Sequence, residues 1–176
     1  MSSKGSGLKG VVLDETRIAL IDGDEGKLVY RGYNIHDLAQ HASFEEVSYL
    51  LLYGALPDRA QLREFDAKLK ASRTIPQPVI EIIERVKAAH PMDILRTAVS
   101  AAAALDESSH EAKVDVALPA GIRLISQAAT IVATMHRLRS GLDPVAPRDD
   151  LSPAANFLYM MFGHEPSPED AKIIDL

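Results

Sequence analysis

The sequence predicts a mainly α-helical protein with a small β-hairpin or sheet near its N-terminus, on three observations. Helix-start signals recur along the chain: Ser43 with Glu46, Asp58 with Gln61, Pro91, Ser152-Pro153 and Ser167-Pro168 each open a stretch of apolar residues. Aromatic residues make up only 5% of the chain, so alanine and leucine do the packing, as in helices that approach one another closely. The β-type runs are concentrated in one early segment, "VVLDETRIALIDGDEGKLVYRG".

That first segment is broken by "DGDEG", the turn chemistry of a hairpin. The same letters resemble the start of a calcium loop, but such a loop needs an oxygen ligand where Gly26 stands and a glycine where Lys27 stands. From Ser43 the pattern is helical. Ser43 and Glu46 form a capping box, in which each side chain accepts from the backbone N–H of the other residue, and "FEEVSYLLLYG" stops at Gly54. Asp58 with Gln61 starts "DRAQLREFDAKLKASR", whose apolar side is marked by Leu62, Phe65 and Leu69. Pro76 and Pro78 punctuate the chain before "VIEIIERVKAAH". Pro91 opens "PMDILRTAVSAAAALDE", because proline at the first helical position gives up an N–H that lacks a partner anyway. Ala98, Ala101, Ala102 and Ala104 leave this helix a face of small residues on which a neighbour can pack closely.

The longest helix is expected over "PAGIRLISQAATIVATMHRLRSG", Pro119 to Gly141. Leu124, Ala128, Ile131, Met135 and Leu138 form one apolar row, and Ile122, Ile125, Ala129 and Val132 a second beside it, so more than one partner covers this helix. Ser152-Pro153 opens "AANFLYMMFG", which ends at Gly163. Ser167-Pro168 opens "EDAKIIDL", with Glu169 and Asp170 in the first turn and Ile173, Ile174 and Leu176 as its apolar residues. Isolated helices need about 12–15 residues to be marginally stable, so this last one is expected to be cut in mid-helix.

A chain of 176 residues suits one domain that buries about 70% of the surface its unfolded form exposes. The 47% hydrophobic and 25% charged content is that of an ordinary globular protein. Without cysteine there is neither a disulfide framework nor a thiolate nucleophile, and a cytoplasmic location is expected. "MSSKGSGLKG", residues 1–10, reads as a flexible lead-in with no signal-peptide core, and no later run reaches about 18 apolar residues unbroken by charge. A net charge of −6 with scattered Lys and Arg argues against nucleic acid, and neither nucleic acid nor membrane is expected as a partner.

The densest set of chemically capable side chains is "RGYNIHDLAQHASFEEV", with His36, Asp37, His41, Glu45 and Glu46. A helical zinc pair needs histidines at i and i+4. His36 and His41 are five apart, and on a continuous helix that turns their rings about 140° from one another. Glu45 and Glu46 already have a role at a helix N-terminus. The stretch is therefore read as structural, and no metal site is expected. His90 stands at a helix entrance, His110 in an acidic loop, His136 near the end of the long helix and His164 after Gly163. Each is read as a surface or capping residue. Nucleophile-elbow, phosphate-loop and dinucleotide motifs are absent, so no catalytic residue is assigned.

Four stretches taken together, "GLKGVVLDETRIALIDGDEGKLVYRGYNIHDLA", "SFEEVSYLLLYGALP", "AHPMDILRTAVSAAAALD" and "DLSPAANFLYMMFGHEPSPEDAKIIDL", resemble the amino-terminal part of citrate synthases, including 2-methylcitrate synthases. The likeness runs from about Gly7 to Leu176. It implies a mostly helical, homodimeric enzyme without a covalent cofactor, which condenses acetyl-CoA or propionyl-CoA with oxaloacetate and releases CoA. In that family an aspartate base and two histidines remove the methyl proton and polarise the ketone. The family's histidine motifs, of the kinds "HADHE", "GPLHGGAN" and "GHR", do not occur here, so no catalytic residue carries over.

What the resemblance assigns to residues 11–176 is scaffold: the helices over about 91–105 and 119–140 would contribute to the seam of a homodimer. Without the rest of such an enzyme, a large apolar surface is expected to stay exposed. Two other expectations stand beside this one: a non-catalytic helical assembly or regulatory module, or one half of a split enzyme.

Overall fold

The structure is a computed structural model and describes residues 15–106 and 114–175. The expected lead-in at residues 1–10 and His110 lie outside the described residues. Three short strands, β1 (Ala19–Asp22), β2 (Lys27–Tyr30) and β3 (Tyr33–Asn34), form an antiparallel sheet in the order β1-β2-β3. In "DGDEG" the Asp22 carboxylate turns inward on its own loop, accepting the N–H groups of Asp24 at 3.1 Å and Glu25 at 3.0 Å. That self-capped turn is the predicted one. The β2–β3 connection is the two-residue loop Arg31-Gly32, with φ of 47° and 93°; two positive φ values match the twist of paired strands. The strain at Arg31 is accompanied by a long-range contact, since its guanidinium donates to the Leu51 carbonyl at 3.0 Å and fastens the sheet to the second helix.

Among the described residues eight helices follow: α1 (Ile35–His41), α2 (Phe44–Tyr53), α3 (Arg59–Ala71), α4 (Gln77–Val86), α5 (Pro91–Ala104), α6 (Val114–Arg139), α7 (Pro153–Phe162) and α8 (Pro168–Asp175). The capping boxes at Ser43/Glu46 and Asp58/Gln61 form as the sequence predicts. α1 is an addition to that reading: Asn34 accepts the His36 N–H at 2.9 Å and caps a seven-residue helix before Ser43. α6 starts at Val114 rather than Pro119, so Pro119 lies inside the helix. Its missing N–H removes one hydrogen bond near the start of a 26-residue helix, while the first turns are held from outside, with Leu118 packed on Phe65, Leu69 and Ile122.

Two apolar clusters hold the helices together. Ile75, Val79, Ile83, Ile94, Ala98, Ala102 and Ile131 join α4, α5 and α6, and Phe65, Leu69 and Ile122 join α3 to α6. The small face of α5 is thus used within the chain, by Ala98 and Ala102, whereas Ala104 is exposed. On α6 the predicted rows hold at Ile122 and Ile131, but Leu124 is 41% exposed and the buried face also takes Thr130 and Thr134. By length and composition alone Val116–Arg139 could cross a membrane; in this fold α3, α4, α5 and α7 pack around it.

α7 ends as predicted at Gly163, whose φ of 81° lets its N–H reach the Tyr159 carbonyl at 2.8 Å. A Cβ at this position would lie 3.2 Å from a terminal nitrogen of Arg137, itself engaged with the carbonyls of Asp143 and Met161. Gly163→Ala is therefore expected to lower stability by about 1–2 kcal/mol, read as a lower denaturation midpoint at unchanged slope.

Candidate functional site

The histidine-rich stretch is divided by the end of α1. His36, Asp37 and His41 are exposed, Ala42 is extended, and Glu46 is occupied by the Ser43 N–H at 2.8 Å. Among the described residues no three His, Asp or Glu side chains come together as a metal-ligand set. The other described histidines serve helix ends. The Nδ1 of His90 accepts the Met92 N–H at 3.2 Å and caps α5. His136, in the last turn of α6, meets the ring of Phe162 edge-on with centroids 6.4 Å apart, and His164 stacks on Phe162 at 6.3 Å.

The polar interior lies elsewhere, where the C-terminus of α3 meets α6. The last carbonyls of a helix lack partners of their own. Ser126 donates to the Leu69 carbonyl at 2.7 Å, Thr130 to that of Arg73 at 2.7 Å, and Gln127 to that of Thr74 at 3.1 Å. Arg73, only 4% exposed, donates in turn to the carbonyls of Arg148 and Leu151, the latter at 2.9 Å. Burial works against its charge and pulls its pKa down, with Asp66 and Asp149 pulling the other way.

From Arg73 the network continues into the segment before α7. The Arg148 N–H donates to the buried Asn156 at 2.8 Å, and the Arg148 guanidinium holds Asp150, reaches Glu165 at 2.9 Å and lies over the Tyr159 ring at 5.3 Å. The hydrogen bond from Arg148 keeps the Asp150 carboxyl below its usual pKa range. Sequence reasoning missed this network. The available signal was polar residues at helical spacing, Ser126, Thr130 and Thr134, set into the apolar rows of α6.

Lined in part by Arg73 is a cavity of about 170 Å³, whose other lining residues include apolar Leu69, Ile125, Ala129, Phe157 and Ile174 together with Asn156 and Asp175. It contains no pairing of base, nucleophile and orienting group, and Arg73 already spans two carbonyls. The arrangement holds helices in place; it does not assemble an acid/base centre. The remaining notable surface is apolar: Met92 and Leu105 on and beside α5 and Leu124 on α6 are 62%, 48% and 41% exposed, and Phe44 on α2, Phe162 on α7 and Ile173 and Ile174 on α8 are exposed as well.

A family model described as "Citrate synthase, C-terminal domain" matches residues 7–176. The chain is 42% identical to a citrate synthase of Deinococcus radiodurans over 100% of its own length but 47% of that protein's. It is 38% identical to a 2-methylcitrate synthase of Shewanella oneidensis over 98% of this chain and 46% of the relative. Among solved structures, citrate synthase from Pyrobaculum aerophilum superposes with a TM-score of 0.90 at 41% identity, covering 96% of this chain and 44% of that one. The citrate synthase of Thermoplasma acidophilum, solved as a ternary complex with carboxymethyl coenzyme A and oxaloacetate, superposes with a TM-score of 0.89 at 29% identity over 96% of this chain and 45% of that one. The chain thus spans a little under half the length of the relatives it matches.

Proposed function

The chain belongs to the citrate synthase family, and we propose that it is the amino-terminal part of an enzyme that condenses acetyl-CoA or propionyl-CoA with oxaloacetate, giving citrate or 2-methylcitrate and CoA. One observation carries the reading: the whole chain aligns at 42% identity, yet it accounts for less than half of the relative. The described histidines, engaged at helix ends or exposed on α1, are consistent with a supporting role for this part. Proton abstraction from the acyl methyl group and polarisation of the ketone then belong to other parts of the polypeptide.

In this reading residues 11–176 supply scaffold, and α5 and α6 contribute to the seam of a homodimer. Apolar Met92, Leu105 and Leu124 support that assignment by standing in water in the single chain. The acyl-CoA is a substrate rather than a resident cofactor, and the cysteine-free sequence supports a cytoplasmic site of action. Acetyl and propionyl groups differ by one methylene, worth about 1–3 kcal/mol in a pocket.

The test is turnover with acetyl-CoA or propionyl-CoA and oxaloacetate, followed as CoA release. The complete polypeptide is expected to turn over, and the 176-residue chain, verified by mass and purified alone, is expected to show none. Robust turnover by that chain alone would overturn the assignment of the chemistry to other parts.

A further inference from the structure

We draw no further inference here: the strongest candidate, the cavity of about 170 Å³ lined in part by Arg73, Asn156 and the α8 residues Ile174 and Asp175, is bounded mainly by apolar groups, and nothing in the structure shows what covers or occupies it.

Discussion

Phe65→Ala is expected to lower the free energy of unfolding by about 3–5 kcal/mol, the largest effect of any single side chain considered for this fold. Phe65 is 1% exposed and lies between Leu69 on its own helix and Ile122 on α6. The rings of Tyr49 and Tyr53, stacked on one another at 4.3 Å, meet it edge-on at 5.5 Å and 6.1 Å. Truncation removes the transfer free energy of the ring, leaves a hole between three helices, and abolishes two edge-to-face contacts worth about 0.5–1.5 kcal/mol each. Phe65→Leu, which keeps most of the volume, should lose about 1.5 kcal/mol. Urea denaturation reads both. A loss below about 1 kcal/mol for Phe65→Ala would mean that α3 is not seated on α6 through this residue.

Arg73→Ala should cost about 3 kcal/mol, for a different reason. The side chain spans two backbone carbonyls 75 and 78 positions away, and its removal leaves both without that donor inside the protein, at about 1–3 kcal/mol each. Part of the loss is offset because the buried charge itself was expensive to desolvate. Arg73→Lys should recover only a fraction, because one ammonium on a single stem does not reproduce the fork that holds Arg148 and Leu151 together. The same denaturation experiment measures the two variants. Hydrogen exchange should show the loss concentrated in residues 146–156, and uniform loosening of all helices would contradict this account of Arg73.

Much of the helical order was legible without coordinates. Ser43/Glu46, Asp58/Gln61, Pro91 and Ser152 each start a helix where predicted, and Gly54 and Gly163 stop α2 and α7 in the left-handed conformation. These signals act over three or four residues, so the sequence displays them directly. The start of α6 was misplaced because proline is a local signal, and there the packing of Leu118 against α3 outweighed it. α1 was missed because Asn34, although a good cap, opens a helix with only one buried residue, Leu38, and so has almost no periodic pattern to detect.

The candidate site followed the same division. The histidines drew attention by their chemistry, and the structure puts the described ones on exposed faces and helix ends, apart from the polar interior. Arg73, read from the sequence, is one cation among 19 Lys and Arg residues; only its burial against α6 and the 142–152 segment distinguishes it.

By itself the amino-acid sequence determined where most helices begin and end, which faces are apolar, and which family the chain resembles, because caps, periodicity and ordered motifs are properties of neighbouring residues. Only the tertiary structure decided that Thr130 closes the Arg73 carbonyl, that Arg73 ties down a loop, and that Asp175 meets the start of α2. Those contacts join groups 57 to 131 positions apart. Their partners are chosen by which helix ends packing brings together with unsatisfied N–H and C=O groups.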